Sequence, residues 1–288
     1  VGAEPWTLMA IVSVIGLIAW GQTHRRKLSP TRLVEVASVK RFEGGVDVTF
    51  RSEKDLAPFQ LGQYATLAGN HARAEAHPFT IAGGDERSRR FVIRSAGDWT
   101  DAFVTNVKAG DTYRISGGFG RFLPRIDAKR LPQIWVAGGV GITPYLAALV
   151  QMTPDSGGSI TLVYCMKSRG SAGGIEDAER HAARLPQVSL VVFSEEEAGR
   201  MTQSHFAKIV QSTPYNTEVF LCGPEGLKTL VTNCWEDAGM SGKIHSERFN
   251  FRGAYSVSDL IYIGRPMLST AQTMIERART SKYAPAGS

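Results

Sequence analysis

Cysteine is scarce in this chain. The three that occur, Cys165, Cys222 and Cys234, form no even framework and no C-x-x-C pair. That argues against structural disulfides, zinc sites and four-cysteine iron–sulfur clusters, so no metal site is expected. Such sparing use fits a reducing compartment. Long blocks of like charge are missing too, although Lys and Arg outnumber Asp and Glu by 33 to 27. A spread excess suits a solvated surface or small anionic ligands and speaks against a nucleic-acid partner. Internal repeats and low-complexity tracts are also absent. With 288 residues, 43% of them apolar, the chain has material for two domains with real cores.

One stretch lacks charge altogether. Residues 5–23, PWTLMAIVSVIGLIAWGQT, have the length a helix needs to cross a bilayer of about 30 Å. Trp6 and Trp20 stand near its ends, and His24, Arg25, Arg26 and Lys27 follow at once. Because the basic cluster follows the apolar run and no A-x-A-like site closes it, a signal peptide is disfavoured, and a buried helix is the other competing reading. The expectation is one transmembrane helix with its basic flank over residues 1–30, a single-pass membrane location, and the rest of the chain on the cytoplasmic side.

Beyond Pro30 the grammar changes. RLVEVASVKRF, VDVTFRSE, QYATLAG, RFVIRSAG and DTYRISGGFG alternate apolar and polar residues between glycine and proline punctuation, the pattern of a small antiparallel barrel. From Leu131 strands alternate with helices: QIWVAGG, PYLAALVQM, SITLVYCM, IEDAERHAARL, VSLVVFS, TEVFLCG and EGLKTLVTNCWEDAG. That alternation predicts a doubly wound α/β domain. The expected fold is thus an antiparallel β-barrel over residues 31–128 and an α/β nucleotide-binding domain over 129–252, preceded by the membrane helix. In the remaining extension, 253–288, Met267, Ala271, Met274, Ile275 and Ala278 recur at helical spacing, which predicts a short docking helix.

The sharpest local signal is VAGGVGITP, residues 136–144. A strand runs into Gly138, Gly139 and Gly141, which let backbone N–H groups approach a ligand, and Thr143 and Pro144 open a helix. Such a turn suits a pyrophosphate, and in an open α/β sheet ligands bind at these strand ends. Tight packing alone would also explain glycines there. Lys167, Ser168 and Arg169 close the next strand and Arg200 follows the third; they are candidates for the 2′-phosphate of NADP, with plain surface solvation the competing reading. FLCGPEG puts Cys222 and Gly223 at the fourth strand's end, where a cysteine is commonly core.

VAGGVGITP, LCGPEGL and HPFTI, in this order relative to a barrel and a nucleotide domain, resemble the ferredoxin–NADP⁺ reductase superfamily, over about residues 31–252. FVIRSAGDWTDAF is similar to what its membrane NADPH oxidase and ferric reductase branch carries. The resemblance implies FAD in the barrel and NADPH or NADH on the second domain. Phe79 would then lie beside the isoalloxazine, Thr80 would offer its hydroxyl to flavin N5, and His77 would replace the usual arginine near the phosphates. Tyr64, Pro78 and Ile93 complete the implied flavin contacts, Arg94 carries the anchoring, and Gly97, Trp99 and Thr100 shape the pyrophosphate loop; Trp99 as barrel core is the alternative. Pro224 would join Gly223 beside the nicotinamide. HSERFNF matches the superfamily's Glu-x-aromatic ending at Glu247 and Phe249, with Phe251 a rival for the aromatic.

The function so implied is an NAD(P)H-dependent FAD oxidoreductase, with Thr80, Cys222, Glu247 and Phe249 around the hydride contact and electrons passed on singly. The acceptor first expected is transmembrane haem. Because residues 5–23 contain no histidine, that haem belongs to another membrane portion or a partner subunit. The alternatives are a reductase component serving an oxygenase or other soluble acceptor, and a non-catalytic flavin-binding sensor module.

Overall fold

The computed structural model describes residues 31–71, 74–120, 122 and 131–247, together with Ser13. The expected membrane span apart from Ser13, its basic flank, Phe249, Phe251 and the C-terminal extension lie outside the described residues. Among the described residues no helix is long and apolar enough to cross a membrane.

Six antiparallel strands form the first sheet: β1 (Arg32–Phe42), β2 (Gly45–Arg51), β3 (Tyr64–Gly69), β4 (Ala76–Thr80), β5 (Ser88–Arg94) and β6 (Thr112–Phe119), in the order β4-β3-β6-β1-β2-β5. Their two-residue period sorts the side chains: Val46, Val48 and Phe50 of β2 are fully buried while Asp47 and Thr49 between them are not. The β1–β2 hairpin turns through Gly44 at φ +73°, a left-handed conformation that glycine adopts without strain. Just beyond β4, Gly83 bridges to Arg90 of β5, and the Ala82 N–H donates to the Arg90 carbonyl at 2.9 Å. The two edges of the sheet therefore meet, giving the barrel-like closure the alternating pattern predicts.

A helix follows β5 in place of the expected loop. α1 (Asp98–Asn106) begins with two acidic residues in its first turn, Asp98 and Asp101, which suit the positive end of a helix dipole. It buries Phe103 in the barrel core, and the Arg41 guanidinium donates to the Val104, Thr105 and Val107 carbonyls at its far end.

The second sheet is parallel, built from β7 (Gln133–Gly138), β8 (Ile160–Met166), β9 (Val188–Ser194), β10 (Glu218–Cys222) and β11 (Ile244–Glu247), in the order β11-β10-β7-β8-β9. Its helices are α2 (Thr143–Gln151), α3 (Ile175–Arg184), α4 (Glu195–Ala198), α5 (Gln203–Gln211) and α6 (Glu225–Asp237). β7 is buried nearly throughout, as a central parallel strand covered on both faces must be. The order of strands reverses between β7 and β10, which makes that boundary the switch point where such sheets bind ligands. Tyr145 of α2 bonds the Phe220 carbonyl of β10 at 2.8 Å, and so anchors the helix beneath that boundary.

The two sheets are tied together through the segment between β8 and α3. The Arg90 guanidinium bonds both Asp47 in the barrel and Asp177 on α3. Ser168 donates to Glu43 at 3.2 Å, and the Glu43 N–H donates to the Gly170 carbonyl at 2.9 Å. Gly173 is glycine for room: a Cβ there would stand 2.6 Å from Phe42 and Val92.

Candidate active site

The glycine turn lies where the sequence places it. β7 ends at Gly138, a single 3₁₀ turn covers Gly139–Ile142, and α2 begins at Thr143. Its glycines divide into two kinds. Gly139 has φ +55° and open space around its Cβ direction, so it suits the close approach of a ligand to backbone. Gly138 and Gly141 are instead packed against the next turn: their Cβ atoms would lie 2.6 Å from Pro224 and 2.1 Å from the Cys222 carbonyl. A Cβ on Gly223 would come 3.1 Å from Gly138. Tight packing, the competing reading of these glycines, accounts for three of the four: Gly138, Gly141 and Gly223 seat VAGGVG against LCGP.

Other expected roles shift for similar reasons. Thr143 is buried and donates its hydroxyl to the Val140 carbonyl at 3.0 Å, and Pro144 is buried behind it, so both hold the turn. Cys222 is fully buried, not exposed at the mouth, although its register with Ala137 and Glu247 puts it at the expected level of the sheet. The Glu247 side chain lies outside what is described.

On the barrel, alternation along β4 puts His77 and Phe79 on one face and Pro78 and Thr80 on the other. His77 stacks on Trp99 at 4.4 Å, Phe79 lies 5.7 Å from the same ring, and Trp99 stacks on Phe103 at 5.1 Å. The structure thus brings together three residues expected around FAD, Phe79 at its ring and His77 and Trp99 at its phosphates. Trp99 lies half-buried on α1, packed against the barrel core, as the alternative reading has it. Ile93 is buried in the barrel core. Arg94 donates to the Ser171 carbonyl at 3.3 Å, and so reaches toward the other sheet and not to Gly97 and Thr100.

Two features nevertheless fit FAD. The Thr80 hydroxyl is buried without a hydrogen-bond partner, as is His77 Nε2. An orphaned buried hydroxyl costs about 1–3 kcal/mol, which a polar ring atom of a flavin beside it would relieve. Gly97 has φ +155° with open space where a Cβ would stand. Thr100 closes that turn, its hydroxyl accepting from the Ala96 N–H and donating to the Gly97 carbonyl, both at 2.9 Å. Tyr64 pairs with Thr80 across β3 and β4 and its ring lies 5.7 Å from Phe119.

A glycine run beside this group has no apolar period to mark it. Gly117, Gly118 and Gly120 all have positive φ, and a Cβ on Gly120 would lie 3.1 Å from the Tyr64 ring. Three glycines within SGGFG at a strand end are the signal that points to it.

Strand ends β8 and β9 look different from expectation. Lys167 is exposed, but Ser168 is occupied by Glu43 and Ser171. Arg169 pairs with Glu179 at 2.7 Å and Glu197 at 3.4 Å, and Arg200 pairs with Glu195 at 3.1 Å. Burial pushes the Cys165 thiol up to about 12, and it rests 3.8 Å from the Met201 sulfur, as a packing residue does. A separate surface cavity of about 1220 Å³ opens among Arg32, Arg51, Lys54 and Arg87; no expected site residue lines it.

Residues 135–233 match the family described as Oxidoreductase NAD-binding domain. The fold is shared with flavohemoglobin from Malassezia yamatoensis, solved with bound FAD and heme: TM-score 0.70, 21% identity, 85% of this chain and 69% of that one. It is shared also with a mutant ferredoxin–NADP⁺ reductase from Plasmodium falciparum in complex with 2′P-AMP: TM-score 0.63, 16% identity, 77% of this chain and 98% of that one. Residues 135–233 are thus an oxidoreductase NAD-binding domain, and the described residues share the fold of the ferredoxin–NADP⁺ reductases. The barrel and the parallel sheet correspond in fold to the two domains of such reductases, and the parallel sheet is the part that the NAD-binding family matches.

The chain is 24% identical over 231 residues to a flavohemoprotein of Rhodopirellula baltica, covering 70% of the chain and 54% of that protein. It is 27% identical over 183 residues to the toluate 1,2-dioxygenase electron transfer component of Pseudomonas putida, covering 60% and 53%. The chain spans about half the length of the curated relatives it matches.

Proposed function

We propose that this reductase takes hydride from a nicotinamide nucleotide onto FAD and passes electrons singly to an acceptor outside the chain, as the reductase component of an oxygenase does. The observation that carries the reading is the contact between the two halves: the 3₁₀ turn with Gly139 lies against β5 of the barrel. Hydride donor and acceptor must approach within about 3–3.5 Å, and only a nucleotide turn that borders the flavin barrel permits that. When bound, the two cofactors supply hydride transfer and one-electron release; the protein supplies placement and electrostatics.

The chain's own residues do the positioning. Gly139 offers backbone N–H groups to a pyrophosphate, and Gly97 with Thr100 offers a second open turn. Thr80 presents a hydroxyl able to donate or accept, so it suits a ring nitrogen in either protonation state. The Gly138–Gly223 contact fixes the two nucleotide turns as a unit.

Relatives favour the soluble-acceptor reading over the transmembrane haem first expected. Those matched include the toluate dioxygenase electron transfer component, a phenol 2-monooxygenase reductase component and phthalate dioxygenase reductase. One sequence feature supports the other acceptor: the uncharged run at 5–23 suits a membrane anchor beside a haem-bearing partner. Turnover of the full chain, with FAD and an artificial one-electron acceptor, tests the shared claim. Bound FAD without nucleotide oxidation would leave a mere flavin holder. Undiminished turnover toward the natural acceptor in membrane-depleted preparations selects the oxygenase-type reading; loss of it selects membrane haem.

A further inference from the structure

We propose that this protein selects NADH over NADPH, the carboxylates of Glu195 and Glu197 discriminating at the adenosine ribose. The inference rests on the reductase reading above and names its substrate. In a doubly wound sheet the pyrophosphate sits at the glycine turn and the adenosine ribose is met by acidic or basic groups at the ends of the strands that follow. Here those strands are β8 and β9, and neighbouring strands lie about 4.8 Å apart. The adenosine half thus runs from the Gly139 turn across β8 to β9, the edge of the sheet.

The ends of these two strands form one ledge. Met166 and Ser194 pair in register, and the Glu196 N–H donates to the Lys167 carbonyl at 3.1 Å. Glu195, Glu196 and Glu197 stand on it as the opening of α4. Its bases are Lys167, Arg169 and Arg200, and the two arginines already have acid partners: Arg169 has Glu179 and Glu197, and Arg200 has Glu195. A 2′-phosphate brings about −1.5 to −2 charges. It would either have to win both arginines from carboxylates that then face it without counter-charge, or be held by Lys167 alone. A ribose 2′-hydroxyl is a donor, and a carboxylate accepts from it in a charge-assisted bond.

A second observation points to a hydroxyl-bearing ligand. Ser194, at the foot of the glutamates, is 3% exposed, and its hydroxyl has no hydrogen-bond partner. It precedes α4 but makes no capping bond to it. A buried orphan hydroxyl is unfavourable, and a sugar hydroxyl lodged on the ledge gives it a partner of matching chemistry.

Calorimetric titration of the full chain with two fragments, adenosine 5′-monophosphate and adenosine 2′,5′-bisphosphate, reads the ledge without any turnover. The monophosphate is expected to bind about tenfold tighter. In parallel, kcat/KM for NADH should exceed that for NADPH. A double variant, Glu195→Gln with Glu197→Gln, keeps the size of both side chains, frees Arg200 and leaves Arg169 only Glu179; the NADH to NADPH ratio should fall about tenfold and the bisphosphate should gain affinity. Tighter bisphosphate binding by the parent, binding of neither fragment, or an unchanged ratio in the variant overturns the proposal. Faster oxidation of NADPH overturns it while the reductase reading stands. Oxidation of neither nucleotide, with the fragment preference intact, removes the reductase reading and keeps the ribose ledge.

Discussion

Gly141 lies so close to Cys222 that a Cβ on it would stand 2.1 Å from the Cys222 carbonyl oxygen. The obstacle is backbone at the end of β10, which no rotamer can move aside. The two sequence motifs of the nucleotide half are thereby a single packed object.

Gly141→Ala should accordingly destabilise the fold by at least about 1–3 kcal/mol through overpacking, read as a lowered urea midpoint, and should depress nucleotide binding with it. Gly139→Ala meets no neighbour and carries only the left-handed backbone penalty, about 1–2 kcal/mol. A Gly141→Ala protein as stable as the parent would show that the turns are not seated as described.

Asp177 links α3 to the barrel through Arg90, the pair being mostly buried, so Asp177→Ala should cost about 1–3 kcal/mol, between the values for exposed and fully buried pairs. Burial alone would raise the Asp177 carboxyl, yet its bond to Arg90 holds it below the usual carboxylate range. A lowered folded pKa contributes stability above the unfolded value, about 3.9, and that contribution fades as pH falls through the folded value. Urea midpoints of parent and variant should therefore differ at neutral pH and converge below about pH 4. A gap that stays constant into acid would assign the loss to packing alone.

Thr80→Val replaces a buried, unpartnered hydroxyl with a methyl of the same shape. The flavin-free protein should be equally stable or up to about 1 kcal/mol more so, while FAD affinity falls about five- to tenfold through one lost hydrogen bond. Fluorescence titration with FAD, beside thermal denaturation without it, reads both quantities. Unchanged FAD affinity would remove Thr80 from the site.

Trp99 sits between His77 and Phe103 in an aromatic column. Trp99→Ala should lower the stability of the flavin-free protein by about 2–4 kcal/mol, visible as a drop in Tm. A ligand role alone would weaken FAD binding and leave that Tm where it was.

Much of the architecture is legible because periodicity reports burial directly. Val46, Val48 and Phe50 announce a half-buried strand, and QIWVAG announces a covered parallel one. The helix Gln203–Gln211 is hard to see because only Phe206 and Val210 turn inward, too few for a stripe. α1 hides for another reason: GDWTDAF carries a glycine and two acids that suit a phosphate loop as well as a helix start, and only the burial of Phe103 decides between them.

The site is legible in its glycines and blurred in its charges. A strand-end arginine declares no partner in the sequence. Arg169 finds one acid ten positions on, Glu179, and another, Glu197, on a different strand end. Ser168 and Arg94 were equally ambiguous, since the joint between the two sheets claims both of them through residues far away in the chain. Thr80 was readable as a site residue from its motif, but its missing hydrogen bond is a fact of packing.

The most direct test mixes the full chain, reconstituted with FAD, with NADH under anaerobic conditions in a stopped-flow spectrometer. The account predicts that flavin absorbance bleaches in a phase whose rate rises with NADH concentration and is slowed by Gly141→Ala. A protein that holds FAD firmly and shows no bleaching with NADH or NADPH would contradict the claim that the glycine turn delivers a nicotinamide to the barrel.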